Sequence, residues 1–139
     1  MMKANNIIKT VLASFIITGI VNLQALGAEE YVSKARSQKL YQAPLPGADG
    51  KEMTVVHLAI PPGFVGGKHL HTGPVFVYVL EGELTVTLSG ETKTFKAGDL
   101  YPEDINAAMV GKNLSTSDDL EILVFQVGEI GKPMMIKVD

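Results

Sequence analysis

From residue 53 onward the chain is a succession of short β-forming runs, at 53–60, 75–80, 83–88, 92–95, 99–101, 107–110, 121–127 and 134–138, divided by Gly, Pro, Asp and Asn. No run carries helical periodicity. Many short strands at this spacing bury their apolar sides only by closing on one another, so the pattern calls for an all-β antiparallel sandwich or barrel. Leu84, Val86 and Leu88 alternate with Thr85, Thr87 and Ser89, as in a strand with one buried side. The run 121–127 is apolar on both faces and is expected to be a central strand covered twice. Glu81-Gly82 and Ser89-Gly90 are expected hairpin turns, and Pro61-Pro62-Gly63 ends the first run. Residues 28–50 are polar and turn-rich, an expected lead-in of partly irregular structure before a single domain at 51–139.

Residues 1–27 read as a signal peptide. Lys3 and Lys9 precede an apolar stretch at 11–23, and Ala25-Leu26-Gly27 puts small residues where a signal peptidase reads, with cleavage before Ala28. Thr18, Gly19 and Asn22 interrupt the stretch, which is short for a bilayer span. The expected location is therefore periplasmic or secreted, with no membrane attachment after cleavage. The chain has no cysteine, which removes disulfides and a lipoprotein attachment point.

Without the leader, 10 basic residues face 15 acidic ones, and the formal charge moves from −3 to −5. Nucleic acid is excluded as a partner, because Arg36 is the sole arginine and the lysines are scattered rather than clustered against phosphates. About 110 residues support one core and not two.

Chemistry concentrates at His69 and His71. Residues two apart on an extended strand point to the same side, so both imidazoles can serve one point inside a barrel. His57 stands alone on its run and is read as a histidine on an exposed or half-buried strand face.

The segment Gly63, His69, His71, Gly82, followed by Glu83-Leu84-Thr85-Val86 and Ala97-Gly98-Asp99, resembles the first motif of the cupin superfamily and the approach to its second. The likeness is to small single-domain, type-2 cupins and spans 53–127. It implies an antiparallel β-barrel or jelly roll, a homodimer, and a metal held by His-x-His, a first-motif glutamate and a second-motif histidine. Two of those four ligands are absent. Val75 occupies the glutamate position, and Met109, or Ala108 in a register shifted by one, occupies that of the histidine; Asp104 and Asn106 replace the second motif's Pro and Gly, while Asn113 matches its asparagine.

Three readings of the pair follow. His69 and His71 bind a divalent or copper ion, with Met109 as a soft third ligand favouring Cu(I), or Glu103, Asp104 or Asn106 as hard ones. Alternatively they are neutral and hydrogen-bond a small polar ligand, or they are strand residues without a present role. Met109 also reads as a core gap-filler, and Phe76 and Tyr78 as packing residues. Glu103 is the acid to watch, since it follows Tyr101-Pro102 at the turn into the second motif. The expected function is binding of a small polar ligand or a loosely held metal ion through His69, His71 and Glu103. The alternatives are a metal-dependent dioxygenase or isomerase type enzyme, for which no catalytic residue is assigned, and a non-catalytic structural dimer module.

Overall fold

The computed structural model describes residues 34–139, so the signal peptide read at 1–27 lies outside the described residues. Among the described residues ten strands and no helix are formed: β1 (Arg36–Pro44), β2 (Lys51–Ile60), β3 (His69–Leu70), β4 (Val75–Glu81), β5 (Glu83–Leu88), β6 (Glu91–Lys96), β7 (Leu100–Glu103), β8 (Met109–Lys112), β9 (Leu120–Glu129) and β10 (Ile136–Lys137). They make two five-stranded antiparallel sheets, ordered β1-β2-β9-β4-β7 and β10-β3-β8-β5-β6. The expected all-β jelly-roll architecture is thus the one observed.

Alternation sets which side of each strand is buried, and register stacks the buried residues into layers. In the first sheet Ile60 pairs with Leu120; Leu58 pairs with Ile122 and Ile122 with Val79. Val56, Val124, Val77 and Tyr101 form the next layer across four strands. Leu84, Val86 and Met109 of the second sheet join these residues, Val56 apart, in one apolar cluster. The layer after it is different: Thr54, Gln126, Val75 and Glu103 lie side by side on β2, β9, β4 and β7. Three of its four members are polar, and Thr54, Gln126 and Val75 are all buried.

Two expectations are corrected here. Ser89 and Gly90, both at positive φ, do join β5 to β6 as a tight hairpin. Glu81-Gly82 does not make a hairpin, because β4 and β5 belong to different sheets and the chain turns a corner between them. The same glycine signal serves either geometry. Likewise β9 is central, between β2 and β4, but its outward residues Leu123 and Phe125 are half-buried rather than covered by a second layer.

The lead-in also differs from its reading. Residues Arg36–Pro44 form a nine-residue strand paired with β2 along almost its whole length. As a sheet edge with nearly every residue exposed, it has no buried face to impose an apolar alternation, which is why its sequence looks unpatterned. Phe76 and Tyr78, read as packing residues, stand on the outer face of the first sheet with Leu80 and are exposed.

Candidate functional site

The polar layer faces a histidine strand held in place from three sides. β3 is only two residues long; His69 is in register with Met109 of β8 and with Lys137 of β10. The next turn, Thr72-Gly73-Pro74, brings the chain across to β4. Gly73 passes so close to β9 that a Cβ there would lie 2.2 Å from the Val127 carbonyl oxygen, and Val127 N–H donates to the Pro74 carbonyl at 3.0 Å. A side chain at position 73 would push His71 out of place. On the other side, Asn106, in a left-handed conformation with φ 60, donates its backbone N–H to the His71 carbonyl at 2.8 Å.

Each imidazole donates one N–H to backbone. His71 Nδ1–H donates to the Met134 carbonyl at 2.6 Å, and His69 Nδ1–H to that of Gly67 at 2.8 Å. In the neutral rings this leaves both Nε2 atoms as acceptors. The rings meet edge to face, their centroids 5.1 Å apart. His71 is buried, and burial is the main influence lowering its pKa; the Met134 carbonyl opposes this, His69 adds to it, and the Gln126 side chain opposes it.

Glu103 completes the contact. Its Oε2 lies 3.1 Å from His71 Nε2, and both side chains are nearly inaccessible to solvent. Among the described residues, however, Glu103 Oε2 and Gln126 Oε1 are buried with no hydrogen-bond partner. The imidazole and carboxylate are thus close without being aimed at each other. Burial pushes the Glu103 carboxyl up from 4.5 to about 7, so the acid carries its proton near neutrality far more than a surface glutamate does. Tyr101, the preceding inward residue of β7, is raised as well, first by burial and then by the carboxylates of Glu103 and Asp104.

Other residues singled out in the sequence fall elsewhere. Met109 is almost fully buried in the apolar cluster beside His69. Asp104 and Asn106 are exposed, and their backbones shape the turn. Buried Asn113 is structural: its amide donates to the carbonyls of Ile60 and Asp118, and its oxygen accepts from Ser115 N–H. His57 is half-buried on the outer face, 3.1 Å from Glu121. Sequence reasoning passed over Gln126, although it is the polar member of the inward row Leu120, Ile122, Val124, Gln126, and that break in an apolar alternation was the available signal. The Met134 carbonyl that orients His71 is backbone and left no trace in the sequence. A cavity of about 360 Å³ opens beside β7, lined by Leu88, Lys93, Phe95, Tyr101 and Asp104 among others, with Tyr101 stacked on Phe95. Neither histidine lines it.

Whether these groups suit a metal ion turns on their donors. Among the described residues no three His, Cys, Asp or Glu side chains form a metal-binding group by themselves. Both imidazoles tie Nδ1 to a backbone carbonyl, as metal-bound histidines do, but the described side chains do not assemble a third ligand beside them.

A family model described as a cupin domain matches residues 56–125. Among solved structures, an RmlC-like cupin with a double-stranded β-helix fold from Methanocaldococcus jannaschii is 25% identical, with a TM-score of 0.58 over 69% of this chain and 82% of that one. The DMSP lyase DddQ from Ruegeria pomeroyi is 16% identical, with a TM-score of 0.62 over 82% of this chain and 56% of that one. The polyketide cyclase RemF from Streptomyces resistomycificus is 21% identical, with a TM-score of 0.60 over 76% and 71%. No curated protein matches the chain.

Proposed function

The chain belongs to the cupin family, and on that footing we propose that it is a binding cupin that takes a small polar ligand or a metal ion at the polar end of its barrel, through His69, His71 and Glu103. One observation carries the reading: a buried imidazole nitrogen and a buried carboxyl oxygen 3.1 Å apart, with the oxygen left without a hydrogen bond. An unpartnered buried polar group costs about 1–3 kcal/mol, more if charged, and a bound ligand removes that cost. The leader read at 1–27 supports a periplasmic or secreted setting. Phe76, Tyr78, Leu80 and Leu100, exposed on the outer face of the first sheet, support pairing of two copies through that face.

The test is a thermal-shift panel of divalent ions and small polar metabolites on the parent and on His71→Ala. Ligands of the site raise the midpoint of the parent alone. A midpoint unmoved across the panel would favour the structural dimer module instead.

A catalytic reading has its own support, because an acid protonated up to about pH 7 beside a bare imidazole nitrogen supplies proton donor and acceptor in one contact. The DMSP lyase and the polyketide cyclase share the fold alone with this chain at their identities. Loss of turnover in Glu103→Gln, with ligand binding retained, would select this reading over binding.

A further inference from the structure

The two sheets do not close on each other everywhere. β6 ends the second sheet and β7 ends the first, and neither strand is paired to the other. The cavity of about 360 Å³ opens here, and neither histidine lines it. Its volume falls within the range of small-molecule pockets.

Register sets what faces this cleft. Across the β5–β6 hairpin Leu84 is opposite Phe95, Val86 opposite Lys93 and Leu88 opposite Glu91, and residues directly opposite share a face of the sheet. Leu84 and Val86 enter the core, so Phe95, Lys93 and Glu91 turn inward with them. On the other wall β7 supplies Tyr101, stacked on Phe95 with ring centroids 4.4 Å apart, and the chain runs on to Asp104. The cleft therefore has an apolar floor of Val86 and Leu88, an aromatic stack, and three charged side chains leading away from that stack on two walls. Among the described residues Glu91, Lys93 and Asp104 have no ion-pair partner, whereas Glu83 and Lys96 of the same hairpin pair with each other.

Two acids and one base around an aromatic stack favour a ligand that carries both signs of charge. A simple anion meets Glu91 and Asp104, and a simple cation meets Lys93. A molecule with an ammonium and a carboxylate on one carbon and a flat ring beyond it matches all three charges and the stack together. Burial first, then the carboxylates of Glu103 and Asp104, raise Tyr101, so the field of Asp104 reaches the aromatic wall. We propose that the cleft between β6 and β7 binds a free zwitterionic α-amino acid with an aromatic side chain, its ammonium held by Glu91 and Asp104, its carboxylate by Lys93 and its ring by Phe95 and Tyr101. This site lies apart from the histidine end, and the proposal does not rest on ligand binding there.

The chain has no tryptophan, so the indole emission of a ligand reports its own binding. Tag-free expression product is titrated into L-tryptophan, tryptamine and 3-indolepropionate, which share a ring and differ in charge. L-Tryptophan is expected to bind at one per chain, and each analogue about 5-fold more weakly, the upper end for one solvent-exposed charge pair. Lys93→Gln should weaken L-tryptophan and 3-indolepropionate about 5-fold and leave tryptamine unchanged. Asp104→Asn should weaken L-tryptophan and tryptamine and leave 3-indolepropionate unchanged. That crossed pattern marks lost contacts, because a cleft that is merely distorted loses all three ligands alike. L-Alanine, which lacks the ring, should not compete. An analogue that binds as tightly as L-tryptophan, or variants that weaken all three ligands equally, overturns the proposal. So does the absence of saturable binding, which would leave the inward charges of β6 as guards against strand pairing at an open edge.

Discussion

Replacing Glu103 by Gln should alter the pH dependence of the metal-free fold in a way that removing a surface carboxylate does not. Burial raises the Glu103 carboxyl from 4.5 to about 7. Between those values the unfolded chain has released this proton and the folded chain keeps it. Stability assignable to the group is therefore complete below pH 4.5, declines as pH rises, and is lost above pH 7. A shift of that size corresponds to roughly 3 kcal/mol. His71 runs the other way: its pKa is lowered, chiefly by burial, so its contribution is present above 6.5 and is lost as pH falls.

In the parent the two slopes oppose each other below pH 6.5 wherever His71 titrates, so its own profile says little. The difference between variant and parent is informative, because Glu103→Gln keeps His71 and deletes only the carboxyl. With the amide near-isosteric and able to donate an N–H to His71 Nε2, the gap should open in the variant's favour by roughly 3 kcal/mol between pH 4.5 and pH 8. Urea unfolding of both proteins in EDTA, at pH 5 and pH 8, measures most of this gap. A difference equal at the two pH values, or a parent more stable than the variant at pH 8, would refute the burial argument for Glu103.

Asn113→Ala removes two donated hydrogen bonds and one accepted one from a buried position; it should cost roughly 3 kcal/mol by urea unfolding without changing ligand binding once folded. Gly73→Ala places a methyl group against the Val127 carbonyl and should displace the His71 turn, weakening ligand binding by at least about 10-fold in calorimetry even where the protein folds. Truncation after Lys132 deletes the Met134 carbonyl and the β10 pairing with β3; the His71 ring should lose its fixed tautomer, seen as a changed ¹⁵N imidazole spectrum, while the apolar layers persist. Phe76→Glu with Tyr78→Glu, both exposed on the outer face, should convert a dimer to monomers in light scattering with little change in ligand affinity.

What the sequence revealed follows from which residues have a buried side. Strands β2, β4 and β9 alternate because one face of each enters the core, and this made them legible; β5 alternates in sequence, but Thr85 is buried along with Leu84 and Val86, so its expected open face is closed at that residue. β1 was read as an irregular lead-in since an exposed edge strand needs no pattern, and β3 is too short to show one. The histidine pair was visible because residues two apart in extended chain share a face, although β3 ends at Leu70 and His71 lies just past it. The meeting of His71 with Glu103 was not readable in the same sense: it depends on β7 pairing with β4 at Val75, a register fixed by the whole barrel. Gln126 did leave a signal, a polar break in the alternation Leu120, Ile122, Val124, but the apolar residues between them made both faces of the run read alike, and the buried side of β9 had to be known before the break stood out.

That break bears on why the polar layer exists. Beneath it, Val56, Val124, Val77 and Tyr101 close the barrel with apolar and aromatic side chains, and nothing about the strand pairing requires the next layer to be otherwise. Val75 itself shows that a branched aliphatic side chain fits at that level, buried almost completely between Gln126 and Glu103. A domain of this size has a margin of about 5–15 kcal/mol. Two buried oxygens without partners consume a sizeable part of it, at about 1–3 kcal/mol each and more for the acid when ionised. Apolar replacements at 103 and 126 would be the more stable choice for a barrel that had only to fold. On the proposed reading the layer is a ligand site kept at the expense of the unliganded fold, and the sharpest consequence is that ligand binding and stability at position 103 should trade against each other across substitutions: the side chains that bind most tightly should be those that leave the unliganded protein weakest.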